Sequence, residues 1–310
     1  MVSAEYNAQL QEKIRQIENL FADCMLPPIT VFESPEQHWR MRAEFRIWRD
    51  GDELSYAMFA PGEKAGAHNI IKMQTFAAAH QHISHLMPVL LHALQTNIVL
   101  QQRLYQVEFL TTLNGNTLVS LIYHRKLDEE WLQAAHQLSQ QLNISVIGRS
   151  RGHKWVVGQD FVTETLQVHD CVYTYRQPEG AFSQPNAVVC EKMLSWATDA
   201  AQGLGGDLLE LYCGNGNFTL PLSHCFNRVL ATEVSKTSVQ AAQINIAANH
   251  ISNIAIARLS AEEFTQAYQG VREFRRLQEQ NIVLADYRFS TVFVDPPRDR
   301  CTNIGFIEHV

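Results

Sequence analysis

The segment Asp207-Leu-Leu-Glu-Leu-Tyr-Cys-Gly-Asn-Gly-Asn-Phe218 combines residue types that can hold a nucleoside. An apolar run enters Gly214-Asn215-Gly216, which predicts a buried strand turning tightly into a helix. The glycines let a ligand approach the backbone at the strand's carboxyl end. Glu233 follows about 20 residues later, at the end of the next predicted strand. A carboxylate there can accept hydrogen bonds from both hydroxyls of an adenosine ribose. Position 219 is Thr, so the third glycine of the dinucleotide fingerprint is absent and a pyrophosphate is less expected. S-adenosylmethionine carries the ribose without the pyrophosphate and fits better than NAD.

Two further groups stand out. In Val292-Phe-Val-Asp-Pro-Pro-Arg298 the apolar residues bury a strand, Asp295 emerges at its end, and the prolines stiffen the loop that follows. An acidic group and rigid carbonyls there suit a flat, base-like substrate. Arg40, Arg42, Arg46 and Arg49 fall within ten residues, three of them on one face of a predicted strand. Guanidinium groups pair with phosphate and stack on bases, so this strand is the candidate RNA surface; a solvated strand face is the plain alternative. Arg149, Arg151 and Lys154 form a weaker basic cluster. His80, His82, His85 and His92 share one predicted helix at a spacing that fits no common zinc site, and Cys213 reads as a packing residue.

The elements that must position these residues change character along the chain. Residues 5–23 predict an amphipathic helix through Leu10, Ile14, Ile17, Leu20 and Phe21, ended by Pro27-Pro28. Trp39–Trp48 alternates apolar Met41, Ala43, Phe45 and Ile47 with polar partners, the period of a half-buried strand; Asp50-Gly51-Asp52 turns it toward Leu54–Phe59. A helix is expected over 74–96, interrupted at Pro88, then a hairpin of Tyr105–Leu113 and Thr117–Tyr123, then a helix capped by Asp128 through about Leu142. After about residue 186, strands (208–213, 229–233, 254–259, 290–295) alternate with helices (218–225, 236–249, 262–278), which indicates βαβ units and a parallel sheet. The boundary is placed near 176–186.

Composition narrows the class. Apolar residues make up 46% and charged residues 18%, a globular balance. No apolar run reaches the ~18–20 residues of a membrane helix, and the start lacks signal-peptide character. The six cysteines are scattered without a Cys-x-x-Cys pair, which fits a reducing cytoplasm. A net charge of −7 means that nucleic acid must be met by a local basic patch.

With these motifs together, the chain resembles the bacterial tRNA (uracil-5-)-methyltransferase family, the enzymes that form ribothymidine in the T-loop. The resemblance runs from about residue 5 to Arg298. It rests on Trp39–Trp48 (Trp39 standing where the family has tyrosine), Phe182-Ser-Gln-Pro-Asn186, Leu209–Phe218 and Phe293–Arg298. It implies an α/β, class I S-adenosylmethionine-dependent (Rossmann-like) methyltransferase domain over 181–298, preceded by an α+β RNA-binding region over 1–180, with a non-family tail at 299–310. It implies S-adenosylmethionine bound by Gln184, Tyr212, Gly214, Asn217, Glu233 and Asp295, and the T-arm of tRNA bound around Arg40, Arg42, Arg46 and Arg49. It also implies a cytoplasmic monomer. The iron–sulfur relatives carry an N-terminal cysteine cluster absent here, so no cluster and no metal is expected.

The chemistry of the family needs a thiolate to add to carbon 6 of uracil, because carbon 5 alone is too weak a nucleophile, and a base to remove the carbon-5 proton. The family supplies these from a Ser-Cys-Asn-Pro motif and a C-terminal glutamate. Neither motif occurs here; Cys301 and Glu308 lie outside such patterns, so no catalytic residue is assigned. A sheet of about seven strands is implied, of which four are predicted, so the chain reads as truncated by about 60 residues. Its fourth strand is expected to be an exposed apolar edge, and turnover is expected to fail. The alternative is a tRNA-binding protein without catalysis. An amino-methyltransferase would want an aromatic residue where Arg298 stands.

Overall fold

The computed structural model describes residues 3–23, 25, 27–59, 66 and 69–296. Helix α1 (Ala4–Leu20) starts under Ser3, whose hydroxyl accepts from the Tyr6 amide at 3.1 Å. The predicted helix forms, but none of its residues is buried, and Leu20 is 73% exposed. Strands β1 (Arg42–Asp50), β2 (Glu53–Phe59) and β3 (Ile70–Met73) are followed by helices α2 (Gln81–Thr96) and α3 (Ile98–Gln101). Then come β4 (Leu104–Thr111), β5 (Thr117–Tyr123), α4 (Glu129–Leu142), β6 (Ser145–Ser150) and β7 (His153–Val157).

These strands form one sheet in the order β3-β2-β1-β4-β5-β6-β7. All neighbours are antiparallel except β5 and β6, which α4 joins as a crossover. One face packs Phe45, Tyr56, Val107, Phe109 and Leu121 against α2 and α4. Gly148 of β6 is required there: a Cβ would stand 2.3 Å from the Trp131 ring. Asp128 caps α4 as expected, accepting from the Trp131 amide at 3.0 Å.

Two helix expectations are corrected. α2 begins at Gln81, not 74, and runs unbroken through Pro88. The ring removes one backbone hydrogen bond, and burial of Ile83, Met87, Leu90 and Leu94 offsets that loss. The helix expected over 262–278 is two pieces, α8 and α9 below, because Gly270 takes a left-handed φ of +70° and ends the first.

Strands β8 (Phe161–Val168) and β9 (Cys171–Pro178) form a separate hairpin, and α5 (Ala187–Ala201) follows. Then β10 (Asp207–Leu211), α6 (Thr219–Leu222), β11 (Arg228–Thr232), α7 (Lys236–Ala248), β12 (Ile254–Ala257), α8 (Ala261–Tyr268), α9 (Arg275–Gln278) and β13 (Phe289–Val294) complete the chain's described elements. The last four strands form a parallel sheet in the order β12-β11-β10-β13, the doubly wound arrangement the alternation predicts. β10 is interior and wholly buried. β13 is, with β12, an edge strand among the described residues and is only partly buried. Arg298, Cys301, Glu308 and the 299–310 tail lie outside the described residues.

Candidate functional site

The site forms where β10 ends. Beyond Leu211 the chain turns through Tyr212 at φ +63° and Gly214 at φ +57°. A Cβ on Gly214 would have nothing within 4 Å, so the loop presents bare backbone to open space. Glu233 lies just past β11, and both of its oxygens are held by backbone: Oε2 accepts from the Gly214 amide at 3.1 Å and Oε1 from the Ser235 amide at 2.7 Å. Asp295 lies just past β13. Parallel pairing of β13 with β10 brings it across from Gln184, whose Nε2 donates to Asp295 Oδ2 at 3.3 Å. Burial pushes the Asp295 carboxyl above the usual carboxylate range.

Asn217 is fixed from two sides. Its backbone carbonyl accepts from the Tyr175 hydroxyl at 2.9 Å, and its amide nitrogen donates to Cys190 Sγ at 3.3 Å. Gln184, Tyr212, Gly214, Asn217 and Asp295 all line one cleft, partly open to solvent. Glu233 does not line it and reaches it through Gly214. Three further lining residues bear on its chemistry. Phe182, 70% exposed, stands among the lining residues. Cys190 is buried, which pushes its thiol up to about 12. Glu210 is the third. It is 2% exposed, its Oε2 has no hydrogen-bond partner, and burial with the nearby Asp295 charge pushes its carboxyl up to about 8. A glutamate between Leu209 and Leu211 in an apolar strand was the available signal. Cys213 is buried, as expected of a packing thiol.

The arginines are not presented as one patch. Arg40 Nε donates to the Arg42 carbonyl at 2.8 Å, and Arg49 donates to Gln101 Oε1 at 2.6 Å. Arg42 is half-buried, and loss of water lowers its guanidinium pKa despite the charge of Glu108. Arg46 stands 3.9 Å over the Tyr105 ring, which stacks on His124 at 4.0 Å. In the weaker cluster Arg149 pairs with Glu179 and Lys154 with Asp160 at 3.0 Å, which leaves Arg151 exposed. His80 caps α2, and His82 packs beside Gly115. Among the described residues no group of three or more His, Cys, Asp or Glu is placed to hold a metal ion, and no helix is long and apolar enough to cross a membrane.

A parallel sheet with a glycine loop after its central strand, an acid after the next and Asp-Pro after the fourth defines a class I methyltransferase fold. The family model described as tRNA (Uracil-5-)-methyltransferase matches residues 5–303, five residues beyond where the sequence reading ended the resemblance. The tRNA/tmRNA (uracil-C(5))-methyltransferase of Neisseria meningitidis serogroup C is 60% identical over 295 residues, 95% of this chain and 80% of that protein. That of Acinetobacter baylyi is 59% identical, covering 96% and 82%. The chain belongs to the tRNA (uracil-5-)-methyltransferase family, a family of transferases. In fold it is similar to the Pyrococcus abyssi tRNA (uracil-54, C5)-methyltransferase solved with S-adenosyl-L-homocysteine, at a TM-score of 0.67 and 15% identity over 98% of this chain and 70% of that one. These relatives carry enzyme names, and the non-catalytic alternative is not favoured.

Proposed function

We propose that this chain methylates carbon 5 of a tRNA uridine, the T-loop uridine at position 54, with S-adenosylmethionine as methyl donor. The observation that carries the cofactor half is the carboxyl-rich cleft at the end of β10. Glu210 has an oxygen with no hydrogen bond, Asp295 is partly desolvated, and Gly214 opens bare backbone into the space between them. A cationic nucleoside complements that set. Bound there, the cofactor supplies an electrophilic methyl group. Glu233 would take the ribose hydroxyls, held ready by two backbone amides. Gln184, Tyr212, Asn217 and Asp295 would surround the rest, with Asp295 and Gln184 locked to each other.

Residues 1–180 would grip the RNA, and 181–298 would carry the methyltransferase site. Arg46 on the Tyr105–His124 stack supports a base-facing surface, and Arg40, Arg42 and Arg49 would add charge along the same stretch of chain. His124 also lines an open cleft whose lining includes Lys126, Arg151 and His153, three exposed basic side chains suited to phosphate. The protein would work as a cytoplasmic monomer, without a metal.

The test is incubation of the chain with an unmodified tRNA transcript and labelled S-adenosylmethionine, followed by nucleoside digestion. Label in 5-methyluridine from the T-loop would bear out the assignment and overturn the expectation that turnover fails without the Ser-Cys-Asn-Pro thiol. Label in another nucleoside would sink the assignment, and no label would bear out the failure of turnover.

A further inference from the structure

Helix α7 pairs with the outer edge of β9 through side chains. Asn249 Oδ1 accepts from the Thr174 amide at 2.9 Å, and its Nδ2 donates to the Thr174 carbonyl at 2.8 Å. One turn earlier, Asn245 Oδ1 accepts from the Arg176 amide at 2.7 Å, and its Nδ2 donates to the Arg176 carbonyl at 3.4 Å. The match is geometric. Residues four apart on a helix rise about 6.0 Å, and residues two apart on a strand about 6.6 Å. A carboxamide offers the same acceptor and donor as a peptide group. Two asparagines therefore satisfy an edge that would otherwise be left open.

Only Asn245 reaches further. Its Nδ2 also donates to the Asn215 carbonyl at 2.9 Å, inside the Gly214–Gly216 loop, and Asn215 Nδ2 returns a bond to the Arg176 carbonyl at 3.3 Å. Asn249 instead spends its remaining contact on the Asn245 carbonyl at 2.7 Å, within α7. Asn245 is 1% exposed, so water does not compete for these bonds. Asn215 lines the cleft, and so does Gln177, next after Arg176 on β9. One buried amide thus ties two lining segments, the glycine loop and β9, together.

We propose that Asn245 is a positioning residue for the cofactor cleft. It sets the spacing between β9 and the glycine loop, whereas Asn249 only fastens the hairpin to the helix. The inference rests on reading that cleft as the S-adenosylmethionine site.

S-adenosylhomocysteine affinity by calorimetry and stability in urea separate the two roles. Asn245→Ala and Asn249→Ala should both lose stability, since each frees one residue of the β9 edge, and Asn245→Ala the more, since it also frees the buried Asn215 carbonyl. Asn245→Ala should bind about tenfold more weakly, the cost of one buried hydrogen bond to the loop, while Asn249→Ala stays within about twofold of the parent. Asn245→Asp keeps the acceptor for Arg176 and removes the donor to Asn215, so it should weaken binding likewise and carries the comparison if the alanine variant does not fold. Binding unchanged in the Asn245 variants, or weakened as much by Asn249→Ala, overturns the proposal. No binding by the parent chain overturns the cofactor reading itself.

Discussion

Two of the three glutamates buried among the described residues, Glu179 and Glu210, meet opposite fates. Glu179 follows the β9 strand and faces the seven-stranded sheet, where Arg149, Lys154 and the Ser120 hydroxyl surround its carboxylate. Burial alone would raise its pKa, but the hydrogen bond and charge of Arg149 prevail and hold it below the usual range. Glu210 sits in the middle of β10 with no cation beside it, one oxygen unbonded, and its pKa pushed up to about 8. The first carboxylate is complete within the protein. The second has no such cation, and it lines the cleft proposed as the cofactor site.

The largest effect should come from removing the buried Glu210 carboxyl, which burial holds protonated below about pH 8. Glu210's folded pKa of about 8 lies above the ordinary 4.5, so the unfolded chain ionises this group more readily than the folded one. Its contribution is present below pH 4.5 and is lost as pH rises toward 8. Glu210→Gln should therefore be more stable than the parent at pH 8, by up to a few kcal/mol, with the gap closing toward pH 5. Urea unfolding across that range checks this. A gap that does not change with pH would mean that Glu210 is already compensated.

Glu179→Ala should do the reverse and destabilise at neutral pH, by about 1–3 kcal/mol, a range discounted because Arg149 is 42% exposed and can be rehydrated. The same urea titration reads it, and a stabilised variant would erase the contrast between the two glutamates. The smallest effect concerns the RNA side. Arg46→Ala should weaken binding of a T-arm transcript several-fold and lower the salt slope by about one. Equal affinity and slope would remove Arg46 from the RNA surface.

The glycine loop, Glu233 and Asp295 were legible because each sits at a strand's carboxyl end, where local pattern determines both strand and loop. Gln184 came only through the Phe-Ser-Gln-Pro-Asn resemblance, since it lies on a connection with no periodicity. The arginine strand was legible as a strand, but the charge of Glu108 felt by Arg42 and the bond from Arg49 to Gln101 depend on neighbours 50 or more residues away. Pro88 misled because its local penalty was visible while the burial that offsets it was not.

The sequence by itself determined the family, the parallel βαβ half and most of the residues around the cleft, because strand period, turn glycines and motif spacing act over short range. The tertiary structure alone decided which charges are paired, that the exposed side chains of α1 stay outside the core, and that Asn245 and Asn249 serve as an edge strand for β9. Those outcomes rest on atoms brought within 3–4 Å by packing between distant elements, and no local pattern encodes that separation.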